Sequence, residues 1–474
     1  MAPLTPAGLA RALPNPRIGA RLWVAYSGGL DSTVLLHALA EVRQLRTLDL
    51  AAIHIDHGLN PASADWAVQC RLVCSGLGIP LVLRRLDLRR RAGESLEALA
   101  REGRYAMLRE IAGPDDLVLS AQHRDDQAET LLLALLRGSG LKGLAAMPRI
   151  SPLGRAWLVR PLLDYGRADL LAYARARGLS WVEDPSNGDQ GFDRNFLRAR
   201  VLPVLAERWP ACAHSLSRAA AHCAEAQGLI EGLAAAEIAH LGGSRPGTLS
   251  LTALGARDPA LQAAVLRHWI RGLGLPVPDR RHLGRIRDEL PGARQDRRPL
   301  VAWPGAEARR YRDDLYVMAP LPAQPASVRL GWRRGELALS PGLGRLRLLS
   351  ARTGWEQDPE TRWPGGLEVG FAGEGQHCQP WGQAHHRRLK HLFQEAGIPP
   401  WLRPLVPRLS AEGRLVAVGD LWRCNLAEKG AAGEGTAEGP DWRISWQGGI
   451  REHPGFSQPG HASIAAPTSS RRRP

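Results

Sequence analysis

Over residues 21–210 short apolar runs alternate with longer segments whose apolar residues recur three and four apart. The runs Leu22–Tyr26, Leu50–Ile55, Pro80–Leu86 and Leu117–Ser120 predict short buried strands. Between them, 32–43, 62–77, 94–112 and 124–137 predict helices. Such alternation predicts an α/β fold, a doubly wound parallel sheet covered on both faces, with ligands at the carboxyl ends of its strands. Three polar stretches fall at those ends: "SGGLDS" (27–32), "HIDHG" (54–58) and "SAQHRDDQ" (120–127). A first domain is therefore expected over 1–210. From 211 to 320 the pattern turns helical and basic, predicting a helical second domain. "PLPAQPAS" (320–327) reads as a linker, and 328–447 as a small α+β domain with strands around a helix at "HHRRLKHLFQEAG". The remainder, 448–474, is poor in apolar residues and predicts a disordered tail.

Composition sharpens this picture in two respects. The six cysteines, at 70, 74, 212, 223, 378 and 424, include no CxxC, which suits a reducing cytoplasm better than a disulfide framework. No apolar run approaches 18 residues, and none before Leu22 is long enough for a signal peptide, so a cytoplasmic protein without membrane contact is expected. The net charge is +15, carried almost wholly by arginine. A GC-rich genome would explain arginine in place of lysine, but not the surplus of positive charge. The surplus favours a polyanionic partner such as RNA.

A glycine-rich strand-to-helix junction is a device for holding phosphate, because small residues let backbone N–H groups face the ligand at a helix N-terminus. In "SGGLDS", Ser32 or Thr33 can cap the helix, and the Ser27 and Ser32 hydroxyls can donate to phosphate oxygens. Asp31 would repel a bare phosphate; it fits if Mg²⁺ lies between carboxylate and phosphate. The plain alternative is a glycine turn with a serine cap. No Walker A sequence is present, and "GSGLKG" (138–143) follows a helix where a dinucleotide fingerprint would follow a strand.

"SGGLDS" resembles the SGGxDS motif of the PP-loop ATP pyrophosphatases, which cleave ATP between the α and β phosphates. Three further stretches follow in order: "HIDHGLN" (54–60), "SAQHRDDQAETLLLALLRGSGLKGLAAM" (120–147) and "RPLLDYGRADLLAYARARGLSWVEDPSNGDQGFDRNFLRARVLP" (160–203). Together they resemble the bacterial tRNA(Ile)-lysidine synthetase family. "RRLKHLFQEAGIPPWLRPLVPRL" (387–409) resembles that family's C-terminal domain, so the likeness runs to about residue 430. One departure is Gln122-His123, where the family usually reads His-His.

The resemblance implies an ATP-dependent, AMP-forming ligase. It would adenylate the C2 carbonyl oxygen of the wobble cytidine in the CAU anticodon of tRNA(Ile), and join L-lysine there through its ε-amine to give lysidine. It implies ATP contacts for Ser27, Gly28, Gly29, Leu30, Asp31 and Ser32, with Asp31 also the Mg²⁺ ligand and a catalytic residue. Asp126 and Glu129, three apart and so on one helix face, would bind the lysine and act in catalysis. Acids in a first helical turn also simply complement the helix dipole. His54 and His57 line an adenosine pocket or buttress the loop; Arg104 reaches the ATP phosphates or lies on a solvated helix face. Arg194, Asn195 and Arg198 would contact RNA, a surface loop capped by Asp193 being the alternative. Arg387, Arg388 and Lys390 would contact the tRNA body from an amphipathic helix. Two other readings stay open: a PP-loop tRNA thiolase, which predicts cysteine pairs, and a non-catalytic RNA- or nucleotide-binding protein, which predicts a decayed loop motif. A homodimer is compatible with the sequence, which carries no signature of oligomeric state.

Overall fold

Neighbouring side chains of the first strand part to opposite faces of the sheet. In the computed structural model β1 (Leu22–Ala25) sends Leu22 and Val24 to one core and Trp23 to another. β2 (Leu50–Asp56) divides in the same way, Leu50 and Ala52 against Ala51 and Ile53, and β4 (Leu117–Leu119) sets Leu117 and Leu119 against Val118. A strand buried on both sides reads as a continuous apolar run, which explains why the sequence signal was clear. The structure describes residues 3–17, 19–45, 48–58, 62–86, 96–294, 298–323, 330–371, 376–425 and 441–456.

The chain divides into two units, residues 1–229 and 230–471. In the first, β3 (Leu81–Arg85) completes the sequence-predicted strands, and a hairpin of β5 (Ile150–Leu153) and β6 (Ala156–Val159) extends the sheet to the order β3-β2-β1-β4-β6-β5. All pairings are parallel except β5–β6. The order reverses between β1 and β4, and such a switch point opens a crevice at the strands' carboxyl ends. On one face lie α1 (Pro6–Ala12), α2 (Leu30–Leu45) and α3 (Ser63–Gly76); on the other lies α4 (Leu96–Ile111). Trp23, buried under α4, donates its indole N–H to Asp116 at 2.9 Å. Cys70 and Cys74 are free and buried, packed as small hydrophobes between α3 and the sheet. After β4 come α5 (Arg124–Leu136), α6 (Leu141–Leu144), α7 (Arg167–Ala176), α8 (Asp193–Phe196), a single π-helical turn (Leu197–Val201) and α9 (Leu202–Arg208).

The second unit departs from expectation in three places. The region read as helical does hold α11 (Leu251–Gly255), α12 (Pro259–Gly272) and α13 (Arg280–Gly292), preceded by α10 (Cys212–Ile238), which crosses the unit boundary. It also holds a four-stranded antiparallel sheet, Leu249–Ser250, Leu300–Trp303, Ala306–Tyr311 and Asp314–Met318, packed on those helices through Val265, Leu266, Ile270 and Ile286. Secondly, Cys378 and Cys424 are joined as a disulfide in the C-terminal region, against the expectation of unpaired cysteines. Order also runs past 448, against the expected start of a tail there: Ile450 and Phe456 are buried in the C-terminal core, and the rest of that stretch, 457–474, lies outside the described residues. Half of the proposed linker, 324–327, also lies outside them. Among the described residues no helix is long and apolar enough to cross a membrane.

Candidate active site

The loop after β1 is shaped by its own hydroxyls. α2 begins at Leu30, so Ser32 and Thr33 stand inside its first turn and do not cap it. Ser32 Oγ accepts from the Ser27 N–H at 3.2 Å, donates to the Gly29 carbonyl at 3.0 Å and shares a 3.0 Å hydrogen bond with Ser27 Oγ. The two serines thus hold the loop's curvature. The N–H groups of Leu30, Asp31 and Ser32, which no helical carbonyl can reach, are left to meet an anion. Gly28 sits at φ +85° with its carbonyl accepting from Val182 N–H at 2.9 Å, and a Cβ there would stand 2.9 Å from Cys70 Sγ. Only glycine suits that position. Gly28→Ala is expected to destabilise the fold by roughly 1–2 kcal/mol from the left-handed backbone alone, and to weaken ATP binding. In Gly29→Ala the added Cβ meets nothing closer than 3.6 Å, so its melting temperature should fall less. Thermal melts and ATP titrations of both variants check this.

β2 delivers His54 beneath the loop. Its Nδ1–H donates to the Tyr26 carbonyl at 2.9 Å, and burial lowers its pKa, so the ring is neutral and buttresses the loop. His57 Nε2 accepts from Arg104 at 2.8 Å; burial and that guanidinium hold its pKa down at about 4. The proton of the neutral ring is therefore on Nδ1, which is buried without a hydrogen-bond partner among the described residues.

α5 brings the carboxylates. His123 caps it, donating its N–H to Asp126 Oδ2 at 2.9 Å, and its ring is fully buried. Three carboxylates surround the ring: Asp31 at 3.6 Å and Asp126 at 3.5 Å from Nε2, and Asp125 at 3.5 Å from Nδ1. Burial alone would lower its pKa; Asp125 and Asp31 reverse that and raise it to about 10. The raised value ties the stability of the fold to pH. Below pH 6.5 the imidazolium's contribution is complete, and it is lost as pH rises through about 10, because the folded state holds a proton that the unfolded chain releases. Wild type should therefore lose more stability between pH 7 and pH 10 than His123→Asn, which thermal melts across that range would show.

Glu129 is fully buried one turn further on, and burial raises its pKa. Arg198 meets it in a fork, Nε to Oε1 at 2.7 Å and Nη2 to Oε2 at 3.1 Å, and also reaches Asp126 Oδ1 at 3.0 Å. Arg194 Nε lies 3.4 Å from Glu129 Oε2, while its Nη2 donates to Thr130 Oγ1 at 2.8 Å. Arg194 and Arg198, read from sequence as RNA contacts, are thus turned inward onto the acids; Asn195 instead donates to the Asp189 carbonyl at 2.9 Å. Counting Asp31, Asp125, Asp126 and Glu129 against His123, Arg194 and Arg198 leaves one negative charge uncompensated. One more cation would balance this cluster.

Three features escaped the sequence reading. Asp125 holds His123 and accepts from the Arg167 N–H at 2.8 Å, a role hidden by its identity with Asp126 next door. Val182 backs the phosphate loop from a distant segment. Gln122, the departure from the family pattern, accepts from the Ser120 hydroxyl and so braces the strand end. In the second unit the basic cluster starts before its helix: Arg387 and Arg388 form a short strand paired with His377–Cys378, and the helix runs Leu389–Glu395. Arg387 is paired with Glu395, while Arg388 and Lys390 are exposed.

No group of three or more His, Cys, Asp or Glu among the described residues could hold a metal ion. Asp31 Oδ1, however, is buried with no hydrogen-bond partner among them. One such oxygen suits Mg²⁺, which keeps few protein ligands and completes its shell from phosphates and water. Burial pushes the thiols of Cys70 and Cys74 up to about 12 and about 11, so both are protonated at neutral pH and unfit to carry sulfur.

Comparison with known proteins extends these observations to most of the chain. Residues 8–205 match the model of the PP-loop domain, 249–316 that of the TilS substrate binding domain and 367–446 that of the TilS substrate C-terminal domain. The tRNA(Ile)-lysidine synthase of Methylococcus capsulatus is 45% identical over 403 residues, covering 85% of this chain and 91% of that protein. That of Alkalilimnicola ehrlichii is 43% identical over 421 residues, covering 88% and 93%.

Proposed function

The chain belongs to the tRNA(Ile)-lysidine synthase family, and we propose that its first unit forms lysidine by meeting ATP, a cytidine and lysine around His123. One observation carries the reading: Asp31 of the phosphate loop and Asp126 of α5 face the same imidazole nitrogen, at 3.6 and 3.5 Å. The phosphate end of ATP and the carboxylates for an amine are thereby held at one point, as a two-step ligation requires.

In the first step the C2 carbonyl oxygen of the wobble cytidine of the CAU anticodon attacks the α-phosphorus, and pyrophosphate leaves. The backbone N–H groups of the loop and the His123 imidazolium offset the charge on the departing phosphates. Asp31 would hold Mg²⁺ there, and the ion supplies further charge neutralisation when bound. The His57 Nδ1–H, unpartnered among the described residues and with Arg104 on the far side of its ring, is our candidate for the adenosine end, and His54 supports the loop from beneath.

In the second step the ε-amine of lysine attacks C2 and AMP leaves. Asp126 and Glu129 bind the amine, whose place is taken in the free protein by the Arg198 guanidinium. Lysine then enters by exchanging one cation for another, or adds at the uncompensated charge beside it. The raised pKa of Glu129 suits it to receive the ammonium proton better than an exposed carboxylate would. Arg388 and Lys390 of the second unit contact the body of the tRNA.

The test separates the steps. With ATP, Mg²⁺ and tRNA(Ile) but no lysine, pyrophosphate should be released and AMP should remain on the RNA; adding lysine should then release AMP. Release of AMP without lysine, at the full rate, would overturn the order of events.

A further inference from the structure

The chain has only five phenylalanines. Phe371, Phe393 and Phe456 are buried in the C-terminal core, whereas Phe192 and Phe196 are 39% and 47% exposed. These two sit one turn apart, the Phe196 N–H donating to the Phe192 carbonyl at 3.0 Å. They belong to the segment whose other face supplies Arg194, Leu197 and Arg198 to the interior. Two apolar rings beside the proposed reacting centre thus keep a large share of their surface open to water.

We infer that Phe192 and Phe196 form a stacking platform for the unpaired bases flanking the reacting cytidine. The inference rests on the lysidine reading above. Three observations favour an RNA occupant. Exposed Arg200 continues the outward face one turn beyond Phe196, supplying charge for the backbone. The segment is braced from within, by Asn195 to the Asp189 carbonyl at 2.9 Å, Gly191 N–H to Asp189 Oδ1 at 2.9 Å and Arg198 to Glu129, so the rings are presented on a fixed support. The same support reaches the amine-binding carboxylates, which makes the platform continuous with the site where the cytidine must lie. Single-stranded RNA is recognised by splaying its bases onto aromatic faces, and any base can stack, so the platform would position the loop and leave sequence reading to other contacts.

The test measures affinity for a labelled anticodon stem-loop, intact or with the two nucleotides flanking the cytidine made abasic. Phe192→Ala and Phe196→Ala should each weaken binding of intact RNA about tenfold, Leu replacements equally, and Trp replacements little. Abasic RNA should bind wild type and variants alike, the signature of a contact made through the bases. KM for lysine and ATP should be unchanged, and the Leu variants, which keep an apolar side chain in the covered part of each position, should melt close to wild type. Full affinity in the Ala or Leu variants would overturn the inference. So would unchanged RNA affinity accompanied by loss of a concentration-dependent dimer, which would make the rings a protein contact. Binding is read without catalysis: coupling to the bases in a protein that incorporates no lysine would keep the platform and overturn the lysidine reading, and the converse would overturn the platform alone.

Discussion

Replacing Asp31 with alanine is expected to lower lysidine formation by about 100- to 1,000-fold, the usual loss when a charge-stabilising group is removed from the reacting centre, while tRNA affinity is retained. Asp31 stands in the first turn of α2 with one oxygen 3.6 Å from His123 and the other buried without a partner. Its removal deletes the proposed Mg²⁺ ligand and one neighbour of the imidazolium. His123 keeps Asp125 and Asp126, each at 3.5 Å, so the fold should tolerate the change. Asp31→Asn should be nearly as impaired, since the amide preserves shape but neither charge nor metal affinity. Steady-state rates beside filter-binding affinities check the prediction; loss of tRNA binding in step with activity would mean that Asp31 shapes the protein and not its chemistry.

Glu129→Gln should have the largest effect on both stability and lysine use. Glu129 is fully buried and meets Arg198 through both oxygens, with Arg194 beside it. Removing its charge leaves two guanidinium groups facing each other without their main partner. Breaking one member of a buried pair costs about 3–5 kcal/mol; the lower end applies because Arg198 is 31% exposed. KM for lysine should rise by about 100-fold, because the site loses its innermost carboxylate. The double variant Glu129→Gln/Arg198→Met should regain much of the stability and none of the activity. Denaturant unfolding and lysine saturation curves separate the two effects. Recovery of activity in the double variant would show that Glu129 serves only to hold Arg198.

The parallel sheet was legible because its central strands β1, β2 and β4 are buried on both faces, giving runs such as Leu22–Tyr26 that no surface strand would show. The hairpin Ile150–Val159 was not: its first strand contains Pro152 and lies at the sheet edge, where alternation weakens. The sheet of the second unit was hidden by charge. Ala306–Tyr311 includes a buried Glu307 neutralised by Arg309 at 2.8 Å, so a core strand looks polar in the text. Phe456 anchors a segment otherwise rich in glycine and proline, too little apolar text to predict order. At the site, residue types and their order were readable, but not their partners. Arg198 lies 69 positions from Glu129, and only the fold reveals that it turns inward.

The most direct test of the account is incorporation of labelled lysine into a tRNA(Ile) transcript with a CAU anticodon, with ATP and Mg²⁺, against a methionine tRNA transcript carrying the same anticodon. Label confined to the isoleucine tRNA, with one AMP released per lysine, is the predicted result. ATP and tRNA both bound, yet no lysine incorporated into either RNA, would contradict the account.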